Sequence, residues 1–200
     1  MIRGLWHGSM ILGMVALLGA APAPPDAVYA VDPRFGRIGF SVDHLGLFRS
    51  SGWFRRFQAR IVIDPAHPRR TRIRVDIDAR SVDMPWREGA ATLRSAEFFD
   101  ARQYPEVRFR STSVTERRDG QYVIQGLLAI RGMTRPLALD AVLIARHPGS
   151  AGRGEVTDFV ATGTLRRSTF GMTADRAFIS DRVRLVIHAR IRLNAPVPAG

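Results

Sequence analysis

The sequence predicts an all-β protein: an antiparallel, eight-stranded barrel with one short helical insertion between strands. Three observations carry this. Apolar and polar residues alternate with a period of two along most of the chain, as in strands with one dry and one wet face. Turn signals separate these runs. One stretch alone, residues 85–102, breaks the period. About eight alternating runs lie between Tyr29 and Leu193, the number that closes a small barrel. Closure also removes the sheet edges through which strands aggregate.

The 200 residues suit one domain behind a leader. Arg3 supplies a positive start, and "MILGMVALLGAA" (Met10 to Ala21) is an apolar run too short to span a bilayer comfortably. "PAPPDA" then breaks any helix. The pattern is that of a secretory signal peptide over residues 1–27, leaving a domain over 28–195 in an exported, periplasmic protein.

Within that domain, "GRIGFSV" sets Ile38, Phe40 and Val42 on one face. "DPAHPRRT" joins "FQARIVI" to "IRVDIDARSV", which opposes Ile73, Val75, Ile77 and Ala79 to Arg74, Asp76, Asp78 and Arg80. "VRFRS" aligns Val107 with Phe109. Asp119-Gly120, the strongest short hairpin signal, links "VRFRSTSVTE" to "YVIQGLLAI". "RGMTRP" leads into "LALDAVLIA", and "RHPGSAGRG" into "DFVATGTLRR". In "VRLVIHARIRL", Val183, Leu185, Ile187, Ala189 and Ile191 share a face, with Val186 the exception.

The insertion is "PWREGAATLRSAEFFDAR". Adjacent Phe98 and Phe99 cannot share a strand face. On a helical turn they lie about 100° apart and can anchor one plug. Ser95 reads as an N-cap, with Glu97 favourable in the first turn. Leu93, Phe98 and Phe99 are expected to point inward over a barrel end. Tyr104-Pro105 then restarts extended backbone.

Net charge is +12, and all 30 basic residues are arginine. The default reading is a solvated face; a basic surface also suits anionic lipid, nucleic acid or acidic ligands. Without cysteine there is no disulfide, thiolate metal site or cysteine nucleophile. The histidines are scattered: His67 and His147 in proline-flanked loops, His188 on a wet strand face. Asp76 and Asp78 share a face but sit among arginines, so surface ion pairing is expected. No G-x-S-x-G occurs. Ser41 and Asp43 share a strand face that His44 opposes, which is not triad geometry. The glycine-rich "GSAGRG" precedes a strand-like run, not the helix a phosphate loop needs. "RRTRIR" is basic but has no aromatic between its charges, unlike a nucleic-acid surface.

What is left is an apolar interior. Phe40, Phe54, Phe57, Phe109 and Phe170 either line a ligand cavity or pack a dry core; both need the same residues. Gly39, Gly126 and Gly163 mark bends, bulges or close approaches within strands.

Five ordered blocks then resemble one family. "YAVDPRFGRIGFSVDHLGLFRSSGWF", "IDARSVDM", "LRSAEFFDARQYPEVRFRST", "GLLAIRGMTRPLAL" and "RRSTFGM" with "ISDRVRLVI" are similar to the exported, lipocalin-like, isoprenoid-binding YceI proteins. A departure lies at Arg87-Glu88-Gly89-Ala90-Ala91-Thr92, where many relatives carry histidine. The resemblance implies a barrel around a long apolar cavity that takes a polyisoprenoid or isoprenoid-quinone-like lipid, as a carrier or sequestering protein. With it, no covalent cofactor, no resident metal and no catalysis are expected.

On that footing the lipid-binding residues are expected to be Phe40, Val42, His44, Phe54, Phe57, Ile77, Leu93, Phe98, Phe99, Phe109, Phe170 and Met172. The expected partners are an isoprenoid or other long-chain apolar lipid, the inner membrane in transient contact, and a second copy in a homodimer, but no nucleic acid. Two other classes stay open. One is a periplasmic enzyme acting on a lipid or sugar at the barrel mouth, through His44 and Asp43 with Arg166 and Arg167 holding an anion. The other is a basic stress protein that binds anionic surfaces.

Overall fold

The computed structural model describes residues 27–31, 36–63, 68–148 and 156–193. The expected leader up to residue 26 and the glycine-rich 149–154 segment lie outside them. Among the described residues there are eleven strand segments: β1 (Ala27–Val31), β2 (Arg37–His44), β3 (Phe48–Phe54), β4 (Phe57–Ile63), β5 (Arg72–Asp78), β6 (Val82–Asp83), β7 (Glu106–Arg118), β8 (Gln121–Ile130), β9 (Met133–His147), β10 (Val156–Arg166) and β11 (Ile179–Leu193). One helix, α1 (Arg87–Arg94), lies between β6 and β7.

The pairing is antiparallel, in the order β1-β4-β5-β7-β8-β9-β10-β11, and β1 also pairs with β11. That ring of eight closes the sheet. β2, β3 and β6 extend it past β11 in the order β11-β2-β3-β6. The segment count exceeds the expected eight because long strands are interrupted. β11 pairs with β1 at its Ile191 end and with β2 from Val183 to His188, so β1 and β2 run along one neighbour.

The break between β3 and β4 falls at Arg55-Arg56, where Ser81 stitches the bend. The Arg55 amide donates to the Ser81 carbonyl at 3.0 Å, and the Arg56 amide to Ser81 Oγ at 3.0 Å. Ser81 is buried, so these bonds satisfy backbone groups that water cannot reach.

Alternation sorts the faces as the sequence predicts. Ile73, Val75 and Ile77 of β5 face inward, while Asp76 and Asp78 pair outside with Arg110 and Arg56. Asp119-Gly120 makes the β7–β8 turn, with Gly120 at φ 71°. The interior cluster joins residues from nearly every wall, among them Phe54, Ile77, Phe109, Leu128, Leu139 and Ala161.

The insertion differs from expectation. Ser95 is not the N-cap; it ends α1, its amide bonded to the Thr92 carbonyl at 3.0 Å. Trp86 opens the helix from extended backbone without a side-chain cap. The reason is the chain's route: leaving β6, it coils at once, and the Ser95 carbonyl collects the amides of Phe98 and Asp100 in a turn. Phe98 and Phe99 therefore sit on a compact turn after the helix, not on the helix itself.

A second closure follows β10. A 3-10 turn, Arg167–Phe170, ends on Gly171 at φ 73°. Arg167 is buried, and its guanidinium donates to the carbonyls of Met172, Ala174, Ile179 and Ser180. One side chain thus gathers the whole connection into β11.

Candidate functional site

The barrel encloses a cavity of ≈ 870 Å³, within the range of roughly 300–1,000 Å³ typical of small-molecule sites. Its wall is built from inward positions of nearly every strand. Eleven of the twelve expected residues line it: Phe40, Val42, His44, Phe54, Phe57, Ile77, Leu93, Phe98, Phe99, Phe109 and Met172. Phe170 does not. It is 2 % exposed and packs in the core, because the 3-10 turn after β10 lifts it off the inward face of the strand.

Three rings converge in the wall. Phe40 and Phe54 have centroids 5.7 Å apart, Phe40 and Phe99 6.3 Å, and Phe54 and Phe99 5.4 Å. Phe98 and Phe99 reach the cavity because their turn is anchored at several points. The Phe99 amide donates to the Leu93 carbonyl at 3.0 Å, and Arg131 donates to the Phe98 carbonyl at 2.6 Å. Glycine makes room for another ring: a β-carbon at Gly126 would stand 2.5 Å from Phe109 Cζ and 2.6 Å from the Arg110 carbonyl oxygen. This is the close approach that a glycine inside a strand signals.

Polar groups gather at two ends. At one, His44 Nε2 and Ser50 Oγ are 2.7 Å apart, and Phe48 stacks on the imidazole at 4.6 Å. The cavity reaches the surface beside α1, where exposed Trp86, Glu88 and Thr92 line it. At the other are Glu116, Tyr122 and Arg146. Burial, followed by the hydrogen bond to Glu116, pushes the Tyr122 phenol above its usual pKa. The two groups lie at opposite ends of β11: His44 pairs with Ile179, whereas Phe159, whose ring meets that of Tyr122, pairs with Ala189.

Asp43 does not orient His44. It faces the other way, bonded to Arg49 at 2.8 Å and Arg184 at 2.7 Å, and these bonds lower its pKa. Arg166 and Arg167 are not a free anion clamp, since Arg167 is spent on four backbone carbonyls. Among the described residues no cluster of three or more His, Asp or Glu has the arrangement of a metal site.

Sequence reasoning missed Ser50 and the Glu116–Tyr122–Arg146 group, and it gave Arg167 an anion to hold where the structure gives it backbone carbonyls. It also did not single out Leu128, Leu137 and Leu139 as cavity residues. Their alternation was visible, but alternation separates inside from outside and does not separate a cavity wall from a packed core.

A closed antiparallel barrel around an apolar cavity, with a helix and turn at its mouth, defines a lipocalin-like class of fold. The comparisons narrow it. The YceI-like domain model matches residues 29–191, and the chain belongs to that family. A UPF0312 protein of Vibrio cholerae is 32% identical over 165 residues, covering 82% of this chain and 87% of the relative. BcnA of Burkholderia cenocepacia superposes with a TM-score of 0.71 at 20% identity, covering 80% of this chain and 98% of that one. A polyisoprenoid binding domain from Saccharophagus degradans superposes with a TM-score of 0.61 at 11% identity, over 84% and 99% of the two chains. At these identities the two solved structures establish the fold alone.

Proposed function

We propose that this protein is an exported carrier that holds one long-chain apolar lipid, a polyisoprenoid or isoprenoid-quinone-like molecule, inside the barrel. The observation that carries the reading is the cavity itself: ≈ 870 Å³ walled by aromatic and aliphatic side chains, with polar groups confined to its ends. Each methylene buried there contributes about 0.8 kcal/mol, so a prenyl tail binds with few polar contacts. The fold shared with a polyisoprenoid binding domain supports the same ligand class. The apolar run in the first 27 residues supports export to the periplasm.

The test is a lipid inventory. Purified protein is extracted with organic solvent and analysed by mass spectrometry, and delipidated protein is then offered prenyl chains. Stoichiometric isoprenoid lipid is expected. Repeated preparations without lipid that also take up no prenyl chain would overturn the reading.

A second reading, an enzyme at the mouth, rests on the 2.7 Å contact of His44 with Ser50. It is the weaker one, because no carboxylate among the described residues orients the imidazole as nucleophilic catalysis requires. His44→Ala discriminates. Unchanged lipid retention with no turnover by the native protein supports the carrier, whereas a turnover that the substitution abolishes supports the enzyme.

A further inference from the structure

The outer wall of the barrel carries a second feature, independent of the cavity's ligand. Arg60 of β4 stands directly opposite Arg74 of β5, and Arg74 stands directly opposite Arg110 of β7. Three guanidinium side chains therefore occupy one row across three neighbouring strands. Like charges in direct register destabilise a sheet. Nothing in the fold requires them there, since outward positions accept almost any polar residue.

The row is not neutralised. Arg110 bonds Asp76 at 2.7 Å, and Arg108 reaches toward the same carboxylate at 3.9 Å. Arg60 and Arg74 make no ion pair and no side-chain hydrogen bond among the described residues. Beside the row, Arg69, Arg70 and Arg72 join Arg74 and Arg110 around a surface pocket of ≈ 420 Å³. Ser111 and Thr112 complete its floor. The Ser111 hydroxyl is committed, accepting the Ile73 amide at 2.8 Å, which fixes the chain where β7 shifts register. Four strand arginines, Arg60, Arg72, Arg74 and Arg110, and two from the 3-10 turn before β5, Arg69 and Arg70, thus cluster on this wall.

We propose that this pocket binds a phosphate-bearing anion, with Arg72 and Arg74 supplying donors, Arg110 lining it while it bonds Asp76, and Arg60 beside it in the row. Guanidinium forks match phosphate oxygens in bidentate geometry, and an anion between them turns mutual repulsion into shared attraction. The phosphate comes either from a soluble molecule or from the head groups of an anionic lipid surface. Because these side chains lie on the outer wall, the site does not depend on what the cavity holds.

The experiment uses the purified protein with pyrophosphate as the soluble probe, at ionic strength held constant with chloride. Arg74→Gln is compared with the native protein and with Arg102→Gln, an exposed arginine that does not line the pocket. Pyrophosphate is expected to raise the melting temperature of the native protein and of Arg102→Gln. Arg74→Gln is expected to weaken the apparent affinity about tenfold, the usual effect of losing a charged bidentate contact. Without pyrophosphate, Arg74→Gln is expected to melt no lower than the native protein, since it relieves repulsion. In a second arm, flotation with phosphatidylglycerol vesicles tests the lipid source: binding there that Arg74→Gln weakens, with no pyrophosphate response, assigns the phosphate to a membrane surface. The proposal is overturned if Arg74→Gln behaves as the native protein in both arms. It is also overturned if Arg102→Gln loses as much, or if Arg74→Gln is markedly less stable without any anion.

Discussion

The ring of Phe99 stands edge-on to that of Phe54, with centroids 5.4 Å apart and planes inclined at 73°. This contact ties the turn after α1 to the wall of β3. Edge-to-face pairs add about 0.5–1.5 kcal/mol beyond the area they bury. In a double-mutant cycle of Phe54→Leu and Phe99→Leu on delipidated protein, urea unfolding is expected to show a coupling of about 1 kcal/mol. Additive losses would place the turn's anchorage in its backbone bonds instead.

Gly126 and Phe109 make a second pair that one methyl group disturbs. In Gly126→Ala the new β-carbon meets both the Phe109 ring and the Arg110 carbonyl oxygen at distances no real contact adopts. Overpacking of this kind costs about 1–3 kcal/mol. Phe109→Leu added to Gly126→Ala is expected to recover part of the loss, because it frees the ring clash and leaves the backbone one. Thermal melts of the two single variants and the double decide it.

The fold was more legible in the sequence than the site. Alternation in β5, and in β11 but for the outward Val186, gave the faces of the strands, and Asp119-Gly120 gave a reversal of the chain, because strand periodicity and tight turns are local. Interruption of the long strands was not legible. It depends on Ser81 meeting Arg55 and Arg56 across the bend, which no local pattern records. Phe170 was misplaced because the strand ends at Arg166 and a 3-10 turn, closed by the Gly171 and Met172 amides on Ser168 and Arg167, carries it out of the strand's alternation. The insertion was found by its broken period, but Ser95 qualifies equally as a start or a stop, and the route of the chain from β6 decided which.

Asp158 gives the barrel an acid-sensitive link. It bonds Arg190 in bidentate fashion at 2.6 and 2.7 Å, and His147 at 3.0 Å. The Arg190 bonds first, against the opposing pull of burial, and then the His147 bond hold its pKa at about 2, below the ordinary 3.8. A carboxylate depressed in the folded state stabilises it fully above the unfolded pKa. That contribution, about 2 kcal/mol at most and reduced by solvent screening, is lost as pH falls from about 4 through 2. Asp158→Asn is expected to be less stable at pH 7 and to show a shallower decline in stability over that window. Equal slopes for the two proteins in acid urea titrations would remove Asp158 from the account.

Arg167 holds the connection into β11 through four carbonyls while it is 3 % exposed. Burial lowers its pKa, yet an arginine stays charged in that state. Arg167→Met removes the donors and leaves the carbonyls buried, which is expected to cost about 3–5 kcal/mol. Arg167→Lys keeps the charge but offers donors from a single point, so it is expected to recover only part of the loss. If Arg167→Met unfolds at the native urea concentration, water already serves those carbonyls.

The Phe98 turn connects the fold to the proposed cargo. Phe98 is buried against the cavity, whereas Arg102, a few residues on, is exposed to water. A carboxylate at position 98 would be desolvated beside the apolar tail, unfavourable unless it is protonated or paired. Phe98→Asp is therefore expected to lower prenyl-lipid uptake at least about tenfold, and Arg102→Ala to leave it unchanged. Losing a buried ring also threatens folding, by about 3–5 kcal/mol. Phe98→Leu keeps the site apolar and separates the two effects. Thermal unfolding of delipidated protein is measured beside uptake for all three variants. A folded Phe98→Asp that binds as well as the native protein would show that the tail does not reach this wall.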